Sequence, residues 1–360
     1  MDNKVYIIAE AGVNHNGSLE MAMQLVDAAV ASGADAVKFQ TFKAEKLVSS
    51  DAPKAEYQLG TTEQTETQLQ MLKRLELDEN AHAVLIDYCC RKNIQFISTP
   101  FDLESAELLT NKYRLPVIKI PSGEVTNAPL LYKVASTGTP IILSTGMCTL
   151  ADIENALAVI AFGYVGDGGG AISQASFEEA YFSAAGQEAL RSKVTLLHCT
   201  TEYPAPFGDV NLRAMDTMRD AFGLTVGFSD HTAGISVPIA AVARGAVVIE
   251  KHFTLSRDLP GPDHKASLEP QELSQMVSSI REVELALGTA YKLPAPVELK
   301  NKRVARKSIV ASRDIQEGER FSEQNLTVKR PGDGISPIHY WNVLGKQAKR
   351  SFLKDERIEL

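Results

Sequence analysis

The chain is predicted to fold as an α/β protein, a (β/α)8 TIM barrel followed by a small C-terminal unit. Three observations lead there. Short apolar runs alternate with helical patterns eight times up to residue 287. Each run ends in polar or ionisable residues, as barrel strands do where their carboxyl ends converge on one mouth. The composition then changes at residues 288–302, where two prolines and no helical period mark a linker. A doubly wound open sheet is the competing architecture. It gathers chemistry only at a switch point, whereas here every run is polar at its end.

The first unit runs from residue 5. Residues 5–11 (VYIIAEA) form an apolar run carrying Glu10, and residues 12–17 (GVNHNG) are turn formers. Ser18 caps a helix with apolar residues at Leu19, Met23, Val26 and Val30, which Ser32 and Gly33 stop. Residues 34–40 (ADAVKFQ) make a second strand ending in Lys38 and Gln40. Strand, helix and strand in succession imply a parallel pair. A polar loop over 41–68 leads to a helix over 78–92.

Six further runs follow. Residues 94–100 end in Ser98 and Thr99; 117–124 carry Lys119, Ser122 and Glu124; 140–146 end in Ser144 and Thr145. Residues 194–201 end in Thr200 and Thr201, with Tyr203 just beyond. Residues 224–231 (LTVGFSDH) end in Ser229, Asp230 and His231, and 245–253 (GAVVIEKHF) in Glu250, Lys251 and His252. Helical patterns lie between them at 105–112, 151–162, 214–222 and 236–244.

The last two runs carry the sharpest chemistry. With side chains alternating, Glu250 and His252 share one face and Lys251 takes the other. If the two strands are parallel neighbours, about 4.8 Å apart, His231 and His252 can reach one metal ion. The plainer alternative is two histidines satisfied by local hydrogen bonds. Two imidazoles with open positions suit Mn2+ or Mg2+, with manganese favoured by the nitrogen ligands.

Bulk properties exclude other classes. The 360 residues are 44% hydrophobic and 23% charged, an ordinary globular composition. The net charge of -8 and the lack of a dense basic run argue against nucleic-acid binding. The cluster at 300–307 (KNKRVARK) reads as a solvated linker entering a strand. Four cysteines without a CxxC pair suggest reduced thiols rather than a disulfide framework or a zinc knuckle. Without a signal-peptide pattern or an apolar stretch of membrane-spanning length, the expectation is a cytoplasmic protein with no membrane partner. Residues 163–187 are rich in small residues; their GDGGG lacks phosphate-loop spacing and reads as a flexible surface insertion.

The expected domains are a barrel over 1–287, a linker over 288–302 and a small domain over 303–360. The segments IIAEAGVNHNGS, VKFQTF, STPFD, KIPSGE, ILSTGM, LLHCTTEYP, GFSDHT, IEKHF and GPDH, in that order, resemble the bacterial sialic acid synthases. The tail, from ARKSIVASRDIQEGE to NLTVKRPGDGISP, resembles their antifreeze-like SAF domain, a β-clip fold. That family includes the N-acetylneuraminate, legionaminate and pseudaminate synthases.

The resemblance implies condensation of phosphoenolpyruvate with an N-acetylated mannose-type aldose in open-chain form, with C–O cleavage and release of phosphate. It implies a divalent metal, Mn2+ or Mg2+, on His231 and His252. Lys38, Thr99, Lys119, Ser122, Ser144 and Ser229 match positions that hold phosphoenolpyruvate. Glu10, Gln40, Tyr203 and Asp263 match sugar contacts. Glu124 and Glu250 match carboxylates at the reacting centre, with Lys119 beside them in the catalytic set. Thr201, where some members carry Asn, matches a polar ligand contact. Arg330 matches an arginine that the SAF domain inserts into a partner's site, implying a domain-swapped homodimer. The leading expectation for the aldose is N-acetylmannosamine, giving N-acetylneuraminate; the alternative is 2,4-diacetamido-2,4,6-trideoxymannose, giving legionaminate. A non-catalytic sugar- or ice-binding protein, or a metal-dependent pyruvate aldolase, fits the strand-end lysines and hydroxyls less well, because these point at phosphate.

Overall fold

A computed structural model of the chain describes residues 4–54, 62, 66–166 and 171–360. It divides into two compact units, Met1–Gly288 and Thr289–Leu360.

The first unit is an eight-stranded parallel barrel. Its strands are β1 (Tyr6–Gly12), β2 (Ala36–Thr41), β3 (Gln95–Pro100), β4 (Ile118–Ile120), β5 (Ile141–Ser144), β6 (Val194–Cys199), β7 (Thr225–Asp230) and β8 (Val248–His252). The hydrogen-bonded order is β3-β2-β1-β8-β7-β6-β5-β4, and β3 and β4 come side by side where the sheet closes. Inward side chains Ile8, Ala36, Ile97, Ile142, Leu197 and Val248 fill the barrel interior, each from a different strand. Residues of opposite parity, such as Ile7, Phe39 and Ile249, face the surrounding helices. This division follows from the two-residue period of a strand. The register sets Glu10 opposite both Lys38 and His252, and Ser229 opposite Glu250. Polar residues at the strand ends are thereby drawn together.

The loop expected over 41–68 holds a short helix, Ala44–Leu47, and a second helix begins at its end, Gln68–Leu75. Thr67 and Gln70 form a capping box at the start of that second helix. The expected helix over 105–112 begins earlier, at Leu103–Glu107, capped by Asp102, and widens into a π-helical turn at Leu108–Lys112.

The flexible insertion expected over 163–187 is corrected. The helix Leu150–Val165 runs into it, and the helices Gln174–Phe182 and Ala184–Lys193 occupy most of the rest. Ser173 and Ser176 cap the first of these, Ala180 is buried, and Phe177 packs edge-on against Phe162 with ring centroids 5.2 Å apart. Local small-residue content was overridden by burial of one apolar face. Most of the GDGGG stretch, residues 167–170, lies outside the described residues.

The second unit opens with the exposed helix Glu298–Ala305, in the stretch read as linker. Strand β9 (Ser308–Ala311) then pairs antiparallel with β10 (Leu326–Lys329). Ile309, Ile315, Phe321, Leu326, Phe352 and Ile358 form its own core. Among the described residues of the chain, no helix is long and apolar enough to cross a membrane.

Candidate active site

The carboxyl ends of the barrel strands surround a cavity of about 390 Å3. Around it stand Glu10 of β1, Lys38 and Gln40 of β2, and Thr99 of β3. Lys119 and Ser122 come from β4 and the turn after it, and Ser144 from β5. Thr201 and Tyr203 follow β6, Ser229 and His231 come from β7 and its end, and Glu250 and His252 from β8, with Asp263 beyond.

Two sequence-predicted residues are not in this group. Glu124 lies on the 3-10 turn Ser122–Glu124, which carries it past the cavity lining, and its Oε2 accepts a hydrogen bond from Asn127 Nδ2 at 2.6 Å. Arg330 belongs to the second unit, where its Nε donates to the Ala305 carbonyl at 2.9 Å.

The floor of the cavity is a buried charge network. Lys38 Nζ lies 2.6 Å from Glu10 Oε2 and 3.7 Å from Glu250 Oε2, and donates to Thr99 Oγ1 at 3.1 Å. Lys119 Nζ lies 3.3 Å from Glu250 Oε1, which also accepts from Ser229 Oγ at 2.7 Å. Burial alone would raise the Glu250 carboxyl, but Lys119 and then Lys38 hold it down at about 2. Burial pushes Glu10 up to about 7 despite Lys38, and Asp263 up to about 6. Burial also lowers Lys119, with Glu250 opposing. The carboxylates at this mouth therefore differ in role. Glu250 remains an anion, while Glu10 and Asp263 can carry protons near neutral pH.

Two ring systems complete one side. The His231 and His252 ring centroids are 5.5 Å apart, and the Tyr203 ring lies 4.2 Å from His231 and 5.5 Å from His252. His231 Nδ1 donates to the Thr200 carbonyl at 2.7 Å, so its Nε2 presents a lone pair. His252 Nδ1 is buried with no hydrogen-bond partner among the described residues. Burial holds His231 down at about 4 and His252 well below its ordinary value, so both imidazoles are neutral. A pair of neutral neighbouring imidazoles, one with an orphaned ring nitrogen, can supply two ligands to a divalent cation, although among the described residues no group of three His, Cys, Asp or Glu side chains comes together as a ligand set.

Ser144 Oγ is likewise buried without a hydrogen-bond partner among the described residues, and Ser144 lines the cavity together with Lys119 and Ser122. An acceptor-rich anion there would satisfy it. Gly146 closes the same side. Its backbone N–H donates to Ser122 Oγ at 2.8 Å, and a Cβ there would lie 2.3 Å from Thr201 Oγ1.

Sequence reasoning missed Cys199 and an apolar wall formed by Leu47, Val48, Met71, Leu72, Leu75 and Phe101 in the cavity lining, and Gly146 packed beside it. The helical spacing of Met71, Leu72 and Leu75 was the available signal, inside a stretch that otherwise reads as polar.

The family model described as the NeuB family matches residues 25–292, and that of the SAF domain matches residues 306–359. The chain belongs to the NeuB family. This NeuB-family chain is 52% identical over 355 residues to the N,N'-diacetyllegionaminic acid synthase of Campylobacter jejuni, covering 99% of each. It is 46% identical over 342 residues to the enzyme of that name from Legionella pneumophila, covering 95% of this chain and 90% of that protein. Among solved structures, the N-acetylneuraminic acid synthetase of Leptospira borgpetersenii in complex with citrate matches with a TM-score of 0.68. It is 30% identical, over 83% of this chain and 90% of that one. The NeuB-family chain is a nonulosonate synthase of the phosphoenolpyruvate-condensing type.

Proposed function

We propose that the chain condenses phosphoenolpyruvate with 2,4-diacetamido-2,4,6-trideoxymannose and water, giving N,N'-diacetyllegionaminate and phosphate. The observation that carries this choice of sugar is the identity of 52% and 46%, over nearly the whole chain, to two proteins named for that product. The similarity to a sialic acid synthetase is 30%. The alternative sugar of the sequence reading is therefore preferred to N-acetylmannosamine.

In this reading Lys119, Ser122 and Ser144 take the phosphate, with Lys38, Thr99 and Ser229 on the rest of phosphoenolpyruvate. The lysines and hydroxyls supply charge-assisted hydrogen bonds to its anionic oxygens. Gln40, Tyr203, Asp263 and Thr201 orient the sugar. His231 and His252 would hold a divalent cation, Mn2+ or Mg2+, which when bound would supply Lewis-acid chemistry toward the aldehyde. Glu10, whose carboxyl is raised by burial, holds a proton beside that oxygen and can deliver it as the new C–C bond forms. Glu250, kept anionic, offsets positive charge that develops on the enol carbon before water adds and phosphate leaves. Glu124 acts from outside this group, through Asn127 and the turn that places Ser122. Arg330, from the SAF unit of a second copy, completes the sugar site in a homodimer.

The test is phosphate release from phosphoenolpyruvate with each aldose in turn, the product being identified by mass. Efficient turnover of N-acetylmannosamine with none of the diacetamido sugar would refute the choice. Arg330→Ala should raise the KM for the sugar more than that for phosphoenolpyruvate, and sedimentation should find a dimer.

A further inference from the structure

The cavity has two unlike sides. The phosphate-facing side is built from Lys119 and Ser144 on β4 and β5 and Ser122 in the turn after β4. The other is apolar: Leu47 and Val48 after β2, Phe101 just after β3, and Met71, Leu72 and Leu75 from the helix Gln68–Leu75. Met71 and Leu75 are anchored in a small cluster of their own with Val13 and Phe42, so the wall is fixed rather than exposed by chance.

The strand order separates this wall from both other groups. His231 and His252 lie at the ends of β7 and β8; around the closed sheet β3 is four strands from β7 and β2 is two strands from β8, while β4 and β5 occupy the remaining side. A sugar whose aldehyde carbon sits at the imidazole pair, with the phosphate-side groups holding phosphoenolpyruvate, must run its far end toward the loops after β2 and β3.

We infer that this wall is the specificity determinant for the distal end of the sugar, receiving the C6 methyl and the methyl of the C4 acetamido group. The inference rests on the diacetamido-trideoxy reading above and deepens it. An apolar surface retains the deoxy carbon, whereas the C6 hydroxyl of N-acetylmannosamine would be buried without a partner. Gln68, at the start of the same helix, lines the cavity too and brings an amide matched to the acetamide carbonyl. An apolar pocket rejects an added hydroxyl by about 100-fold, which sets the scale of discrimination expected.

The experiment compares kcat/KM for the two aldoses in the full-length metal-loaded enzyme and in two variants, Leu72→Gln and Val48→Thr. Both positions are partly buried, and Val48→Thr is nearly isosteric, so retained folding is read from an unchanged thermal melt. The expected result is a fall of about 10-fold or more in the preference for the diacetamido sugar, with the KM for phosphoenolpyruvate unchanged. A wild-type enzyme that prefers the diacetamido sugar, with variants that keep that preference, would overturn the wall and leave the substrate reading intact. A wild-type preference for N-acetylmannosamine would overturn both.

Discussion

Lys251 Nζ lies 2.6 Å from Asp230 Oδ2, and both side chains are completely buried. The pair spans β7 and β8 at the register position between Ser229–Glu250 and the two histidines, on the side facing away from the cavity. Asp230 also accepts from the Thr232 backbone N–H and hydroxyl, and Lys251 donates to the Thr232 carbonyl. A latch behind β7 and β8 thus sets where His231 and His252 emerge.

Removing one partner strands the other charge in the interior. Lys251→Met should cost about 3–5 kcal/mol of stability, the usual penalty for breaking a buried pair. Asp230→Asn with Lys251→Met should recover part of that loss. Urea unfolding at pH 7 measures both, and additive losses would show the two side chains to be independent.

His231→Ala and His252→Ala should each lower turnover about 1000-fold or more, in line with losing several kcal/mol of Lewis-acid stabilisation. Each should also abolish Mn2+ binding seen by calorimetry in the absence of substrate. Chelation of the wild-type enzyme should reproduce the activity loss, and Mn2+ should reverse it. Two variants that still bind Mn2+ as the wild type does would place the cation elsewhere.

Ser144 has a buried hydroxyl with no hydrogen-bond partner among the described residues, so its role is tested by deleting one oxygen. Ser144→Ala should raise the KM for phosphoenolpyruvate about 10-fold or more, as for one hydrogen bond to a charged group. The KM for the sugar should move little. An equal rise for both substrates would argue for a general distortion instead.

Gly146→Ala tests how closely the backbone approaches the groups beside Ser122. Its Cβ would lie 2.3 Å from Thr201 Oγ1, 2.9 Å from Ser122 Oγ and 3.0 Å from Cys199 Sγ. Those side chains must shift, at a cost of about 1–3 kcal/mol. Phosphoenolpyruvate affinity should fall, while the Tm drops by only a few degrees. Wild-type kinetics would mean that Thr201 and Ser122 have room to turn aside.

Asp35 supplies a pH test outside the site. It accepts from Lys4, from the Ile7 backbone N–H at 2.9 Å and from Arg281 at 2.6 Å, and these bonds hold its carboxyl below the ordinary carboxylate range although burial opposes them. A depressed folded-state value means that the stabilisation is present above the unfolded value and is lost as pH falls through the folded one. Asp35→Asn should therefore cost about 1 kcal/mol at pH 7, allowing for partial solvent screening, and the difference should shrink toward pH 2–3. Denaturant titrations at both pH values measure it; a gap that widens in acid would contradict the sign.

The eight strands and most of the cavity lining were legible because barrel strands are short, apolar and polar-ended. Glu10, Lys38, Ser144, His231 and His252 all sit where a run stops. The helix at Gln174–Phe182 was not, because its burial depends on Phe162, a residue from another element. Glu124 illustrates the same limit. Its spacing from Lys119 is compatible with a strand end, but a single 3-10 turn redirects it onto Asn127.

By itself, then, the order of residues determined the α/β class, the strand-end chemistry and the membership of the tail, since each is written in local period and motif. Only the tertiary structure decided how the carboxylates divide. Whether Glu10 or Glu250 keeps its charge depends on how many lysines stand within a few ångströms and on burial, and neither is set by neighbours along the chain. The apolar wall was decided in the same way, because it joins side chains from three separate segments that only barrel closure brings to one cavity.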